Sequence, residues 1–370
     1  MYNLIYHIIT MKRFLLLSAI CLLSISALHA RKFEIKRGIN ISHWLSQSGD
    51  RGEKRAKKFT REDVKFIAES GFDHLRIPID EEQMFDENLN PEREAFDLLH
   101  NALSWCKEFK LKAVVDLHIL RSHHFNAKTK PLFTEQRAQE QFYECWRKIS
   151  AELKHYPRSM VAYELMNEPV ADDSEQWNVI VNRCLEVVRE IEPKRTIIIG
   201  ANRWQAYDEV KNLRVPEKDK NIIISFHFYN PFPLTHYRAS WTEQKENPLD
   251  VYYPGYIVKK EDVEKLSPEM KKRWGWLARS YNDINTLEKQ IKQAYDAATA
   301  MGRTLYLGEF GALTTADEAS VIRWYRDIMT ICKKYDIGHA TWDYPRGGFG
   351  IFRKDGSPWQ EKIDILTGKE

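Results

Sequence analysis

No C-x-x-C pair, no G-x-G-x-x-G or G-x-x-x-x-G-K phosphate loop and no G-x-S-x-G elbow occurs in the 370 residues. The first absence leaves no thiolate metal centre to argue for. The second removes the usual mark of a nucleotide-binding open sheet, and the third a serine esterase. Excess charge is missing too, since 56 basic and 53 acidic residues leave a formal +3. So even a balance implies neither nucleic acid nor an anionic membrane surface as partner. Past the first thirty residues no apolar run reaches membrane-spanning length, so the mature chain is expected to carry no integral membrane segment.

Aromatic residues, by contrast, are plentiful. Eleven Trp, 17 Tyr and 17 Phe exceed what a core alone needs and make stacking platforms for a flat ligand face available. Residues 1–30 read as an export signal: Lys12 and Arg13 are its basic region, 14–25 its apolar run and 26–30 its small-residue end. That basic region follows Met11, which is the expected true start. Ile20 before Cys21 argues against a lipoprotein anchor. A secreted or periplasmic protein is expected, and a monomer. Cys106, Cys145, Cys184 and Cys332 fall at apolar positions of helical patterns and read as buried free thiols.

From residue 37 short apolar runs alternate with longer amphipathic ones. The runs 37–41, 74–77, 113–117, 161–166, 196–199, 222–226, 304–307 and 339–342 predict strands. Between most of them the pattern predicts helices over 60–70, 95–109, 134–155, 174–191, 285–300 and 317–335, the first opened by the capping box Thr60-Arg-Glu-Asp63. Eight strands in this rhythm, over a length suited to one large domain at 31–370, predict an α/β fold: a single-domain (β/α)8 TIM barrel. An aromatic-rich insertion at about 230–284 breaks the rhythm; it is too long for an ordinary connection, and its Trp and Tyr residues argue against disorder.

Two strand ends stand out. VAYELMNEPV (161–170) stops at Pro169, which has no amide proton and biases Glu168 towards an extended backbone at the strand's C-terminal edge. TLYLGEFGA (304–312) also ends in an acid, Glu309, set between Gly308 and Gly311 as if the backbone must pass something closely there. A lone Glu in a loop is most simply a cap or an ion-pair partner; two in matching contexts favour paired acid chemistry. In a barrel all strand ends face one pocket. The others bring Asn40, His43 and Trp44, Arg76, Asp116 and His118, Asn167, Asn202 and Trp204, His227 and Tyr229, and Trp342. His123 and His124 are neighbours on an extended loop, point apart and have no evident third ligand, so a metal site is rejected and His124 is placed at the cleft or its rim.

This ordered set resembles glycoside hydrolase family 5, a clan of retaining glycosidases that includes many cellulases, from about residue 36 to 364. Asn-Glu-Pro at the fourth strand end and Gly-Glu-Phe-Gly at the seventh are the strongest marks of the resemblance. It implies Glu168 as acid/base and Glu309 as nucleophile, with no metal or organic cofactor and a β-linked polysaccharide or oligosaccharide as substrate. Arg76 and the Tyr229 hydroxyl are expected to hold Glu309 ionised, and His227 to orient Glu168. Asn167 is expected on the sugar 2-hydroxyl, His118 on the same sugar or bracing Arg76, and Trp342 under the sugar as a stacking floor. Taken singly, Arg76 reads equally well as a structural ion pair, Tyr229 as core and Trp342 as packing; jointly they favour an active site. The expected activity is an endo-β-1,4-glucanase. A β-mannanase or a β-1,3- or β-1,6-glucan hydrolase is the nearest alternative, and a catalytically silent glycan-binding barrel the alternative of another class.

Overall fold

Runs such as residues 197–199 and 222–224 are apolar on both faces, a pattern stable only where a strand is covered on both sides. The computed structural model describes residues 33–345 and 348–370 and makes each predicted run a strand of one closed parallel barrel. The strands are β1 (Arg37–Ile41), β2 (His74–Asp80), β3 (Lys112–Ile119), β4 (Val161–Glu164), β5 (Ile197–Gly200), β6 (Ile222–Phe228), β7 (Thr304–Phe310) and β8 (Gly338–Tyr344). Each pairs with the next, and β8 closes on β1. The six predicted helices are present, with Ser174–Ile191 as expected and the Thr60–Asp63 capping box formed. Gln360–Thr367 is a further helix that periodicity did not single out. The export segment and the start at Met11 lie outside the described residues.

One boundary differs. The fourth strand was expected to reach residue 166, but its ladder ends at Glu164. Beyond it the amides of Leu165 and Asn167 still bond to β5 and β3, at 3.2 and 3.0 Å.

Alternation along each strand sorts the barrel into an outer and an inner face. Outward residues such as Leu75, Val115, Tyr163, Ile199 and Leu307 join the main core beneath the helices. Inward residues form two layers. Phe33 and Ile35 plug the lower one, packed with Val114, Ala162, Ile198, Tyr306 and Ala340. The layer above is polar: Asn40, Arg76, Asp116, Glu164 and Ser225 are all fully buried.

Beside the plug, Asp73 accepts from the amides of Lys36 and Arg37 and lies 2.7 Å from His74 Nδ1, whose ring reaches the Tyr306 hydroxyl. The His74 ring fills the space at Gly38, where a Cβ would lie 2.1 Å from Nε2. Burial alone would raise the Asp73 carboxyl, but the bonds from His74 and the two amides outweigh it and bring it to about 2. A carboxyl lower in the folded than in the unfolded chain gives stability that is present above about pH 4 and lost as pH falls towards 2. Asp73→Asn is therefore expected to cost about 1–2 kcal/mol at pH 7 and to flatten the acid limb of a Tm-against-pH curve. A variant whose curve keeps the parental slope below pH 4 would rule this contribution out.

The insertion is ordered. Short helices at Lys260–Glu264 and Pro268–Trp274 and a two-stranded ribbon of Gly255–Tyr256 with Tyr281–Asn282 build it. Tyr253 and Trp274 are buried in it, while Trp241, Tyr256, Trp276 and Tyr281 are exposed. Tyr253 fastens it to the helix Glu318–Lys334, its hydroxyl donating to Asp327 (2.6 Å) and its carbonyl accepting from Arg323 (2.8 Å). The four cysteines of the described chain are free and buried.

Candidate active site

Arg76 projects inward from β2 into the polar layer, and its guanidinium organises everything above it. Nε donates to Glu164 Oε2 (2.7 Å) and Nη2 to Glu164 Oε1 (3.0 Å), a fork on one carboxylate. Nη1 donates to Glu309 Oε1 (2.7 Å) and Asn40 Oδ1 (2.8 Å), and Nη2 to Asn167 Oδ1 (2.9 Å). Asp116 Oδ2 lies 3.1 Å from Nη2 and 2.7 Å from His118 Nδ1. His118 thus braces Arg76 through Asp116. From the sequence Asp116 reads only as a strand end, and Glu164 is hidden inside an apolar run. A charged residue at the inward parity of such a run is the signal that would have found it.

Glu309 faces the pocket because β7 carries one extra residue. Phe226 pairs with Leu307 but His227 with Glu309, and on the other side His339 pairs with Leu307 but Thr341 with Phe310. Leu307 and Phe310 both point outward into the core. The bulge therefore lets Gly308 and Glu309 both face inward. Glycine is needed at 308 and 311: a Cβ would lie 2.7 Å from Ser225 Oγ at the first and 2.7 Å from the Trp342 carbonyl oxygen at the second. Glu309 Oε2 accepts from the Tyr229 hydroxyl (3.0 Å).

Glu168 sits beyond β4 with φ +37, left-handed rather than extended as the following proline suggested. Two histidines hold it there: His227 Nδ1 is 2.9 Å from Oε1, and His123 Nε2 is 3.1 Å from its backbone oxygen. His123, half of the rejected histidine pair, is thus a backbone clamp. One ligand atom from each of Glu168, His227 and Glu309 lies within 4.8 Å of the others. Among the described residues these are also the three side chains placed to share a metal ion, but the Arg76 guanidinium already occupies Glu309. The carboxylate spacing suits direct attack on a sugar carbon, about 5–5.5 Å, rather than the roughly 6.5–9.5 Å that leaves room for a water.

Burial raises both acids. Glu168 is pushed well above the usual range by burial and then by the charge of Glu309. Glu309 is raised by burial too, but Arg76, His118 and the Tyr229 hydroxyl pull it back. Burial carries Asp116 to about 7 despite Arg76 and drives His227 well below its ordinary value, so its imidazole is neutral.

Trp342 lies on β8 with its ring parallel to that of His118, 5.8 Å between centroids. His43 stands at the exposed rim, 6.5 Å from Trp342. Trp204, 49 % exposed, donates from its indole to the Phe125 carbonyl (3.2 Å), and His124 lies beside Phe125, so these two form another stretch of rim. Two expected residues are not brought to the cleft. Trp44 is buried, its indole bonded to the Arg55 carbonyl (3.1 Å) and its ring against Phe59, because the left-handed turn at His43 sends it outward from the barrel. Asn202 is a backbone clamp whose side-chain amide bonds both the amide and the carbonyl of Ala171, at 2.8 and 3.0 Å.

The model of the cellulase family, glycosyl hydrolase family 5, matches residues 36–347. The chain belongs to this family. Endoglucanase C of Acetivibrio thermocellus is 34 % identical over 346 residues, covering 90 % of this chain and 98 % of the relative. Cellodextrinase A of Ruminococcus flavefaciens is 30 % identical over 308 residues, covering 82 % and 83 %. Structures of Thermotoga maritima Cel5A in complex with cellobiose and with mannotriose each match with a TM-score of 0.71 at 26 % identity, over 90 % of this chain and 97 % of that one. In this family 5 barrel the acids stand at the C-terminal ends of β4 and β7.

Proposed function

We propose that the protein is an endo-β-1,4-glucanase working by double displacement. The reading rests on one observation above all: two carboxyl groups within 4.8 Å, one held by Arg76 and Tyr229 and the other by a neutral histidine. Glu309 attacks the anomeric carbon and forms a glycosyl ester while Glu168 gives its proton to the departing glycosidic oxygen. Forming the ester removes the charge of Glu309, so Glu168, now a carboxylate, takes a proton from water, which attacks and frees the sugar with its configuration retained. Asn167, held by Arg76, is suited to the 2-hydroxyl, and Trp342 to the sugar face.

Activity should fall on the alkaline side as Glu168 loses its proton and on the acid side as Glu309 gains one. Glu168→Ala is expected to lose about 10²–10⁴-fold on polysaccharide yet largely spare the glycosylation step for aryl glycosides with good leaving groups. Equal losses on both substrates would remove Glu168 as the acid.

The substrate is tested by reducing-end release on β-1,4-glucan, mixed-linkage glucan, β-mannan, β-1,3-glucan and β-1,6-glucan, with Glu309→Ala as control. Activity confined to β-mannan would redirect the reading to a mannanase, and silence on all to a glycan-binding barrel. Residues 1–30 fit removal as an export signal ahead of a catalytic unit at 31–370, with a secreted or periplasmic monomer as product. N-terminal sequencing and light scattering of the mature protein check both points.

A further inference from the structure

His227 is neutral, so one of its ring nitrogens carries a proton and the other a lone pair. Nδ1 lies 2.9 Å from Glu168 Oε1 and 3.7 Å from Glu309 Oε2. A lone pair facing two carboxyl oxygens is repelled and an N–H is attracted, so Nδ1 is the donor and Nε2 the acceptor. Nε2 is buried with no hydrogen-bond partner among the described residues, and so is the Ser225 hydroxyl. Both belong to the inward face of β6, two residues apart. Both border the gap that the bulged Gly308 leaves: a Cβ there would lie 2.7 Å from Ser225 Oγ and 3.3 Å from His227 Nε2. A hydroxyl lacking an acceptor and a ring nitrogen lacking a donor thus share one small polar space, which is costly unless they satisfy each other.

We propose that Ser225 is a positioning residue for the acid/base step: its hydroxyl supports a donor to His227 Nε2 through one water in the Gly308 gap, and so locks the Nδ1–H tautomer. That tautomer donates to Glu168 Oε1. It leaves Oε2 to carry the proton for the glycosidic oxygen and stabilises the carboxylate once the proton has gone. The other groups facing the imidazole are Arg76 from β2, His118 from β3 and Glu309 from β7, the last also holding the Tyr229 hydroxyl from just past β6; none offers Nε2 a bond. The inference rests on Glu168 as acid/base. It also explains why glycine stands at 308 beyond the need for a bulge: a methyl group there would fill the space the hydroxyl works through.

The test compares parent, Ser225→Ala, Ser225→Thr and Glu168→Ala by kcat/KM against pH, on a polysaccharide and on an activated aryl glycoside. Removing the hydroxyl weakens support for the Glu168 carboxylate. Ser225→Ala is therefore expected to move the alkaline limb upward by about one pH unit and to slow turnover several-fold, while Ser225→Thr restores the parental limb. An unmoved or lowered limb overturns the proposal, as does an equal loss at every pH that threonine fails to repair. Imidazole ¹⁵N spectra of the parent, with His227 assigned from His227→Gln, give an independent reading. Nδ1–H is expected, and Nε2–H overturns the proposal whatever the variants do. If Glu168→Ala shows no leaving-group dependence, the assignment of the acid fails instead.

Discussion

Glu309→Ala is expected to reduce kcat on polysaccharide by on the order of 10⁴–10⁶-fold, because no other carboxylate can reach the anomeric carbon from that side. Glu168 lies across the pocket, and Glu164 and Asp116 are committed to Arg76 in the layer below. The fold should survive. Arg76 keeps Glu164, Asp116, Asn40 and Asn167, and burying one fewer charge relieves a site in which three carboxylates crowd a single guanidinium. Oligosaccharide binding, measured by calorimetry, should stay within a few-fold of the parent. Losing binding and turnover together would mean that Glu309 shapes the pocket rather than attacks the sugar.

Arg76→Met should do the opposite and damage both fold and function. It strips the shared partner from Asp116, Glu164 and Glu309, all buried, and breaking a buried ion pair in this way costs roughly 3–5 kcal/mol. The carboxyls then titrate higher in the folded protein than in the unfolded chain. A raised carboxyl loses stability as pH climbs above the unfolded value, so the deficit in Tm should be smaller near pH 4 and larger at pH 7. Activity should fall by about 10²–10³-fold, as much as one lost pre-organised electrostatic contact allows. Arg76→Lys keeps one charge but not the fork, so it should recover part of the stability and little of the activity. A Met variant melting like the parent at pH 7 would show that the carboxyls are already neutral in the parent.

What could be read from the chain follows from which physical signals survive in one dimension. The barrel was legible because strands covered on both faces must be apolar while their helices need be so only on one, and that contrast recurs between most of the eight strands. Glu168 and Glu309 were legible because each ends such a run beside a Pro or between Gly residues. Residues just past a strand end were less so. Trp44 and Asn202 stand where cleft residues stand, yet local backbone turns decide their direction, and nothing in composition encodes the φ of His43. Glu164, Gln205 and Ser225 were missed for a different reason: their importance lies in partners from other strands. Gln205 fills the place of a side chain at Gly200, where a Cβ would lie 2.1 Å from its amide carbon, and donates to Glu164 (2.9 Å).

The extra residue in β7 decides which way Glu309 faces. Leu305 points into the outer core, and plain alternation over the same length would turn Glu309 out with it into the helical shell while leaving the barrel closed; the bulge alone brings the carboxylate inward. Whoever grafts this strand onto another barrel, or aligns it with a distant one, must preserve its bulged register as well as its letters. A homologue of the same length with every motif intact but this strand paired without its bulge would be inert for a reason no substitution table records.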